Sequence, residues 1–325
     1  VTKDAAAAAD VYMFANDQLM KLIDGGAISR LGGDIETYIR ETNSEAIVNT
    51  VTVGDAVYGV PYTANTWFMY YDKRVFTEDD VKNLDKMLEV AASKNKKVSF
   101  KLTDSWYIAS FYVGNGCTFF GDGTDESAGI DFEGEKATAV TNYLIDLVNK
   151  PAYMTDDSGS GLAGLKDGSV AAFFSGTWDL SAVKEALGEE NVGIAQAPTY
   201  TLNGKEVQMK PFFGSKAVAV NKTSPNQKVA TQLALWLANE DSQKTRYESR
   251  GIVPCNTKLL ESLKGDALAA VQSGPSIMQP FVSKMNKYWT PAENMGKGIT
   301  SGSCTHDNAE ESTVEMNKAF NTEAL

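Results

Sequence analysis

Gly168-Ser169-Val170-Ala171-Ala172-Phe173-Phe174-Ser175-Gly176-Thr177-Trp178 is the stretch on which the fold turns. Val170 to Phe174 is a short apolar run that reads as a strand. Asp179 to Leu187 follows with helical character, so the stretch is a strand running directly into a helix. The same alternation continues outward. Upstream, Asp79 to Lys94 carries Leu84, Met87, Leu88 and Ala91 at i, i+3, i+4, i+7 spacing, an amphipathic helix. Val98, Phe100 and Leu102 then alternate as in a strand, and Glu135 to Asn149 returns to helical spacing through Val140, Tyr143, Leu144 and Leu147. Downstream, Lys216 to Val220 reads as a strand. Gln227 to Asn239 reads as a helix with Val229, Ala230, Leu233, Trp236 and Leu237 on one side, and the chain beyond Leu259 as mostly helical.

At the start, Ala5 to Ala9 favours a helix, Asp10 to Phe14 a short buried strand, and Gln18 to Asp24 a helix stopped by Gly25-Gly26. Val57 to Tyr62 and Trp67 to Tyr71 read as strands separated by a small polar break. Strands alternating with helices specify an α/β fold with largely parallel sheets. With 325 residues, against about 150 per domain, the chain suggests two domains. No floppy linker occurs at mid-chain, so the domains are expected to exchange the chain through short hinges, each built from discontinuous segments.

Composition excludes several classes of function. A net charge of −12 argues against nucleic acid and anionic lipid, which need clustered Lys and Arg. No apolar run approaches the roughly 18 residues of a membrane helix. Cys117, Cys255 and Cys304 are far apart, with no C-x-x-C pattern, so neither a structural zinc nor a disulfide framework is expected. His306, the single histidine, sits in Ser-Cys-Thr-His-Asp-Asn and reads as a surface loop rather than a catalytic imidazole. No phosphate loop, dinucleotide fingerprint or hydrolase elbow is present, and no metal or cofactor is implied. Asp122-Gly123-Thr124-Asp125 reads as a hairpin turn rather than a calcium loop.

Aromatic placement carries more. Trp67 follows Ala-Asn-Thr, Trp106 follows Thr-Asp-Ser, Trp178 follows Ser-Gly-Thr, and Trp289 precedes Thr-Pro. Ends of strands are where open α/β sheets bind ligands. A flat apolar ring beside small polar groups suits a sugar, whose CH face stacks while its hydroxyls hydrogen-bond.

In series, Ala9 to Asp17, Tyr58-Gly59-Val60-Pro61-Tyr62, Gly168 to Trp178, Ala195 to Pro198, Phe212 to Val220 and Arg250-Gly251-Ile252-Val253-Pro254 resemble, in order and spacing, the extracellular solute-binding proteins of carbohydrate ABC transporters, in particular the maltose/maltodextrin-binding family. That resemblance implies a two-lobed periplasmic-binding-protein fold with the ligand in the cleft. The N-lobe would take 1–64 and 216–264 and the C-lobe 65–215 and 265–325, with hinges near Thr63 to Trp67 and Phe212 to Lys216. It implies a strand–helix–strand unit ahead of the segment that opens this chain. Residue by residue, Phe14 falls on a ligand-stacking aromatic, Asp17 on a sugar-bonding carboxylate, Asp104 on an acidic ligand-bonding position and Trp106 on the aromatic after it. Trp178 and Trp289 fall on the C-lobe platforms, and Tyr62 and Trp67 flank the first hinge. Asn65 stands where maltose binders commonly carry Glu, and Gln18 where Arg is often found. These departures bear on maltose itself more than on a glucan.

The resemblance implies a non-enzymatic monomer that delivers a malto-oligosaccharide to ABC permease subunits, extracellular, as a cell-surface lipoprotein or periplasmic protein. Two alternatives stay open at this point. One is a glycoside hydrolase using Asp17 and Asp104, the other a same-fold binder of a different oligosaccharide, a metal or an amino acid.

Overall fold

The computed structural model describes residues 3–322. The chain forms two compact units, each assembled from two segments: Val1–Thr66 with Phe213–Gln272, and Trp67–Phe212 with Ser273–Leu325. Ala267–Gln272, assigned from sequence to the C-lobe, belongs with the first unit.

In the first unit the strand Phe212–Val220 is flanked by Val11–Ala15 and Val60–Asn65, and both pairings are antiparallel. The expectation of largely parallel sheets is corrected here. The chain leaves this sheet at Asn65 and re-enters at Gly214, which pairs with Asn65 in register, so the returning strand must run in the opposite direction. Ala217 to Val220 are fully buried.

The helix expected over Ala5 to Ala9 is absent and that run is a series of turns. Helix propensity loses because Asn221 Nδ2 donates to the carbonyls of Ala5 and Ala9, and the Thr223 hydroxyl donates to Ala5. Those carbonyls would otherwise accept from the helix's own N–H groups. The strand that follows is also less buried than its composition suggests, with Met13 half exposed.

Helix Gln227–Ala238 packs on Val11–Ala15 and Val60–Asn65 through Ala230, Ala234 and Ala238. The larger residues expected on its packed side face outward, with Val229 68%, Leu233 43% and Trp236 63% exposed. Neighbours in sequence are about 100° apart around a helix, so Val229 and Ala230 cannot share one face, and the alanines let the helix lie close to the sheet.

The second unit has a five-stranded sheet in the order Val192–Ala195, Phe68–Asp72, Val170–Ser175, Lys97–Phe100, Tyr153–Thr155. Only its last three strands are mutually parallel; Phe68–Asp72 runs against both of its neighbours. Helix Ser105–Gly114 is apolar all round and buried from Tyr107 to Val113, so it forms the core of the unit rather than its surface. Gly296 lets helix Trp289–Ser301 press against its start, since a Cβ there would lie 2.1 Å from the Leu102 carbonyl oxygen. The Asp122 to Asp125 turn joins strands Thr118–Phe119 and Ile130–Asp131 as a hairpin, its two carboxylates accepting bonds from Thr124 and Ser127 of the same loop. His306 is exposed and bridges Asn142 and Asp146 of helix Gly134–Val148. Cys117, Cys255 and Cys304 are buried free thiols. No helix among the described residues is long and apolar enough to cross a membrane.

Candidate functional site

The polar end of the central strand in the second unit builds an aromatic platform. Val170–Ser175 is buried throughout, and its chain turns at Gly176 into a short 3-10 segment, Thr177–Asp179. That turn places Trp178 at the strand end with 46% of its surface exposed. Its indole lies close against Gly176, so that a Cβ at position 176 would fall 2.1 Å from Cζ3.

Trp106 meets Trp178 at 6.2 Å between ring centroids, tilted by 43°. It sits in the first turn of helix Ser105–Gly114, where the Asp104 carboxylate caps the helix by accepting the Trp106 N–H at 2.8 Å. The Trp106 indole Nε1–H donates to Gln279 Oε1 at 2.8 Å.

Beneath this pair the rings continue into the core. Tyr107 meets Trp106 edge-on at 5.4 Å and stacks on Trp67 at 5.3 Å and 14°. Phe100 and Phe174 close on Trp67 edge-on. Trp67, expected as a ligand contact, is only 1% exposed and supports the platform from below. The strand Phe68–Asp72 begins just after it, and burial of that strand carries the ring inward.

Trp289 opens helix Trp289–Ser301, half-buried against Phe212 at 6.1 Å and Tyr288 at 5.2 Å. The Tyr288 hydroxyl donates to the Ser105 carbonyl at 2.7 Å, which brings Trp289 to the same end of the unit as Trp106.

Carboxylates lie near Tyr107, beneath the pair. Burial, with the carboxylates of Asp104, Asp179 and Asp156 nearby, drives the Tyr107 phenol far above its ordinary value. Asp104 is exposed to solvent, yet the protein packed around it raises its carboxyl above the usual range, with Glu293 adding like-charge repulsion. The Lys101 ammonium lies 5.5 Å from the Tyr107 ring centre. A concavity of about 890 Å³ elsewhere in this unit, lined by Phe132, Lys284 and Asn317, shares no residue with the platform.

The first unit holds the remaining expected residues. Phe14, next to last in its strand, pairs with Ala217 and is buried. Asp17 lies in the turn Asn16–Gln18, itself exposed beside the buried Asn16; desolvation raises its carboxyl, and Gln18 Nε2 donates to it at 2.7 Å. Gln18, standing where the resemblance gives Arg, thus supplies a neutral donor in place of a charge. Tyr62 is buried, with the Arg246 guanidinium 4.9 Å from its ring centre. Asn65 closes its strand, half-buried and paired with Gly214. Within the second unit the structure brings Trp106, Trp178 and Asp104 together directly.

Two residues of this site carry no sequence signal of their own: Gly176, whose close approach to Trp178 depends on the turn between them, and Gln279, which matters through a contact made across the fold.

Among the described residues no group of three or more His, Cys, Asp or Glu side chains is placed to hold a metal. The sequence pattern of the family described as bacterial extracellular solute-binding protein matches residues 1–277.

This chain belongs to that family.

Its relatives bind oligosaccharides. A structure solved with acarbose is 51% identical to this solute-binding protein, with a TM-score of 0.93 over 99% of this chain and 85% of that one. The maltodextrin-binding protein of L. casei BL23, solved without ligand, is 26% identical with a TM-score of 0.88, over 99% of this chain and 86% of its own. The galactooligosaccharide-binding protein of Bacillus subtilis (strain 168) is 29% identical over 95% of this chain and 76% of its own length. The solute-binding protein therefore has the α/β fold of this binding family, and its relatives are binders rather than enzymes.

Proposed function

We propose that this protein binds a malto-oligosaccharide and delivers it to the permease of an ABC importer, outside the cytoplasmic membrane as a lipoprotein or periplasmic protein. The observation that carries the choice of ligand is the half-exposed Trp178 set against Trp106 among carboxylates. Trp106 and Trp178 would stack on successive sugar rings, Trp289 would offer a further face, and Asp104 would accept from ring hydroxyls. Phe14, Asp17, Tyr62 and Asn65 would complete the contacts from the first unit, and Trp67 would act only by holding the platform. The 51% identity to a protein solved with acarbose supports an α-linked glucan, because acarbose is itself built on that linkage.

Micromolar affinity needs about 8 kcal/mol. Stacked rings together with several hydrogen bonds at about 1 kcal/mol net each reach that range. The ligand is neutral, so the acidic surface does not oppose it.

Titration calorimetry against maltotriose, a galacto-oligosaccharide and amino acids tests the proposal. Heat with maltotriose is expected. Heat only with the galacto-oligosaccharide would move the assignment to the sugar named for the Bacillus subtilis relative. Heat only with amino acids would overturn the carbohydrate reading, and steady release of reducing sugar would overturn the non-enzymatic one.

A further inference from the structure

Gln279 is 5% exposed, a buried amide in the loop that follows strand Ile277–Met278. Buried amides normally have their hydrogen bonds satisfied. Its Oε1 accepts the Trp106 indole N–H at 2.8 Å. The orientation of this amide follows from chemistry: an indole nitrogen is only a donor, so the group facing it must be the oxygen. The Nε2 group, with two donor hydrogens, must then point the other way.

Nε2 makes no hydrogen bond to any described residue. Nor does it belong among the buried polar atoms sealed from solvent without a partner, a group that includes Gln272 Oε1. Gln279 therefore spends its acceptor on Trp106 and leaves its two donors uncommitted to any described residue. The charged groups named above at this end are of both signs, Asp104 and Glu293 beside Lys101, and the ammonium of Lys101 is carried on a flexible stem whereas the Gln279 amide is fixed by its bond to Trp106.

We propose that Gln279 both positions Trp106 and reads a hydroxyl of the ligand. Oε1 pins the indole plane, and Nε2 donates to a hydroxyl oxygen of the sugar ring lying on Trp106. The inference rests on the platform reading above and adds a directional requirement to it: the ring seated on Trp106 must place an acceptor toward Nε2. A stacked aromatic tolerates many sugars, whereas one fixed donor discriminates between epimers that move that oxygen.

Two near-isosteric variants separate the roles. Gln279→Glu keeps an acceptor for the indole and removes both donors; Gln279→Met removes acceptor and donors together. Each is measured by calorimetry with maltotriose and by the NMR resonance of the Trp106 indole N–H, after thermal melting has shown that the variant is folded. Gln279→Glu is expected to leave the indole resonance in its hydrogen-bonded position and to weaken binding about five- to tenfold, the loss of one net hydrogen bond. Gln279→Met is expected to shift that resonance and weaken binding further.

Trp106→Ala is the control for the platform itself. If Trp106→Ala loses binding while both Gln279 variants bind as the wild type does, the inference is overturned and the platform stands. If Trp106→Ala binds normally, the platform reading falls and this inference with it. Should Gln279→Met fail to fold, Gln279→Glu alone still decides whether the donor matters.

Discussion

Gly176→Ala is a single added methyl group aimed at one side chain. The Gly176 backbone, at φ −117° and ψ −167°, is extended and open to any residue, so alanine introduces no backbone strain. The added Cβ would instead lie 2.1, 2.3 and 2.6 Å from Cζ3, Cη2 and Cε3 of Trp178. Carbon atoms rest at about 3.5–4.0 Å, so the indole must retreat by about 1.5 Å or swing off the backbone. Because nearly half of Trp178 is already exposed, that movement costs little packing. Replacing glycine also restricts the unfolded chain, which favours folding by about 0.4–1 kcal/mol. Overall stability should stay within about 1 kcal/mol of the wild type.

Binding should not be spared. A stacked ring contributes about 1–3 kcal/mol by analogy with nucleobase stacking, so maltotriose affinity should fall roughly 5- to 150-fold. Trp178→Ala should show a loss of the same order. The double variant should be no weaker than Trp178→Ala alone, since both changes remove one interaction. Calorimetric titration, paired with thermal melting, reads both quantities. Wild-type affinity in Gly176→Ala, or losses that add in the double variant, would refute the reasoning that Trp178 acts as a platform held by this glycine.

Three further outcomes are expected. Trp289→Ala should weaken glucan binding by about 1 kcal/mol or more, and unchanged affinity would show that its packing on Phe212 and Tyr288 is its whole role. The protein packed around the solvent-exposed Asp104 desolvates its carboxyl and holds it above the ordinary range. The carboxylate acceptor is therefore present above that raised value and lost as pH falls through it, so affinity should decline on acidification at a higher pH than an unshifted Asp would allow. Asp104→Asn, an equally good helix cap, should flatten the pH profile, and a slope that survives it would place the titrating group elsewhere. Burial pushes the Cys117 thiol up to about 12 and raises Cys255 and Cys304 as well. A thiol-disulfide reagent should therefore find no reactive cysteine in the native protein and three after denaturation, while Cys255→Ser should change the melting temperature little.

The alternation of Val170 to Phe174 with Asp179 to Leu187, and of the segments around them, was legible because periodicity of two and of 3.6 is written in local apolar spacing. So was the position of Trp178 and Trp106 just beyond the ends of regular elements, which is a matter of sequence order. The polarity of the sheets was not. Direction is set by where the chain re-enters, at Gly214 beside Asn65, and no local pattern records that. Propensity misled at Ala5 to Ala9, where Asn221, remote in sequence, takes the carbonyls.

The sequence by itself determined that this is an α/β chain with aromatic side chains at its strand ends, because both facts depend on neighbours a few residues apart. Tertiary structure decided which of those aromatics can meet a ligand. Trp67 and Trp178 stand in similar polar settings in sequence, yet Trp67 is packed among Tyr107, Phe100 and Phe174 while Trp178 rests on Gly176 with its surface open. Burial is a property of what packs from elsewhere in the chain. The same holds for Gln279, which reaches Trp106 from 173 residues away.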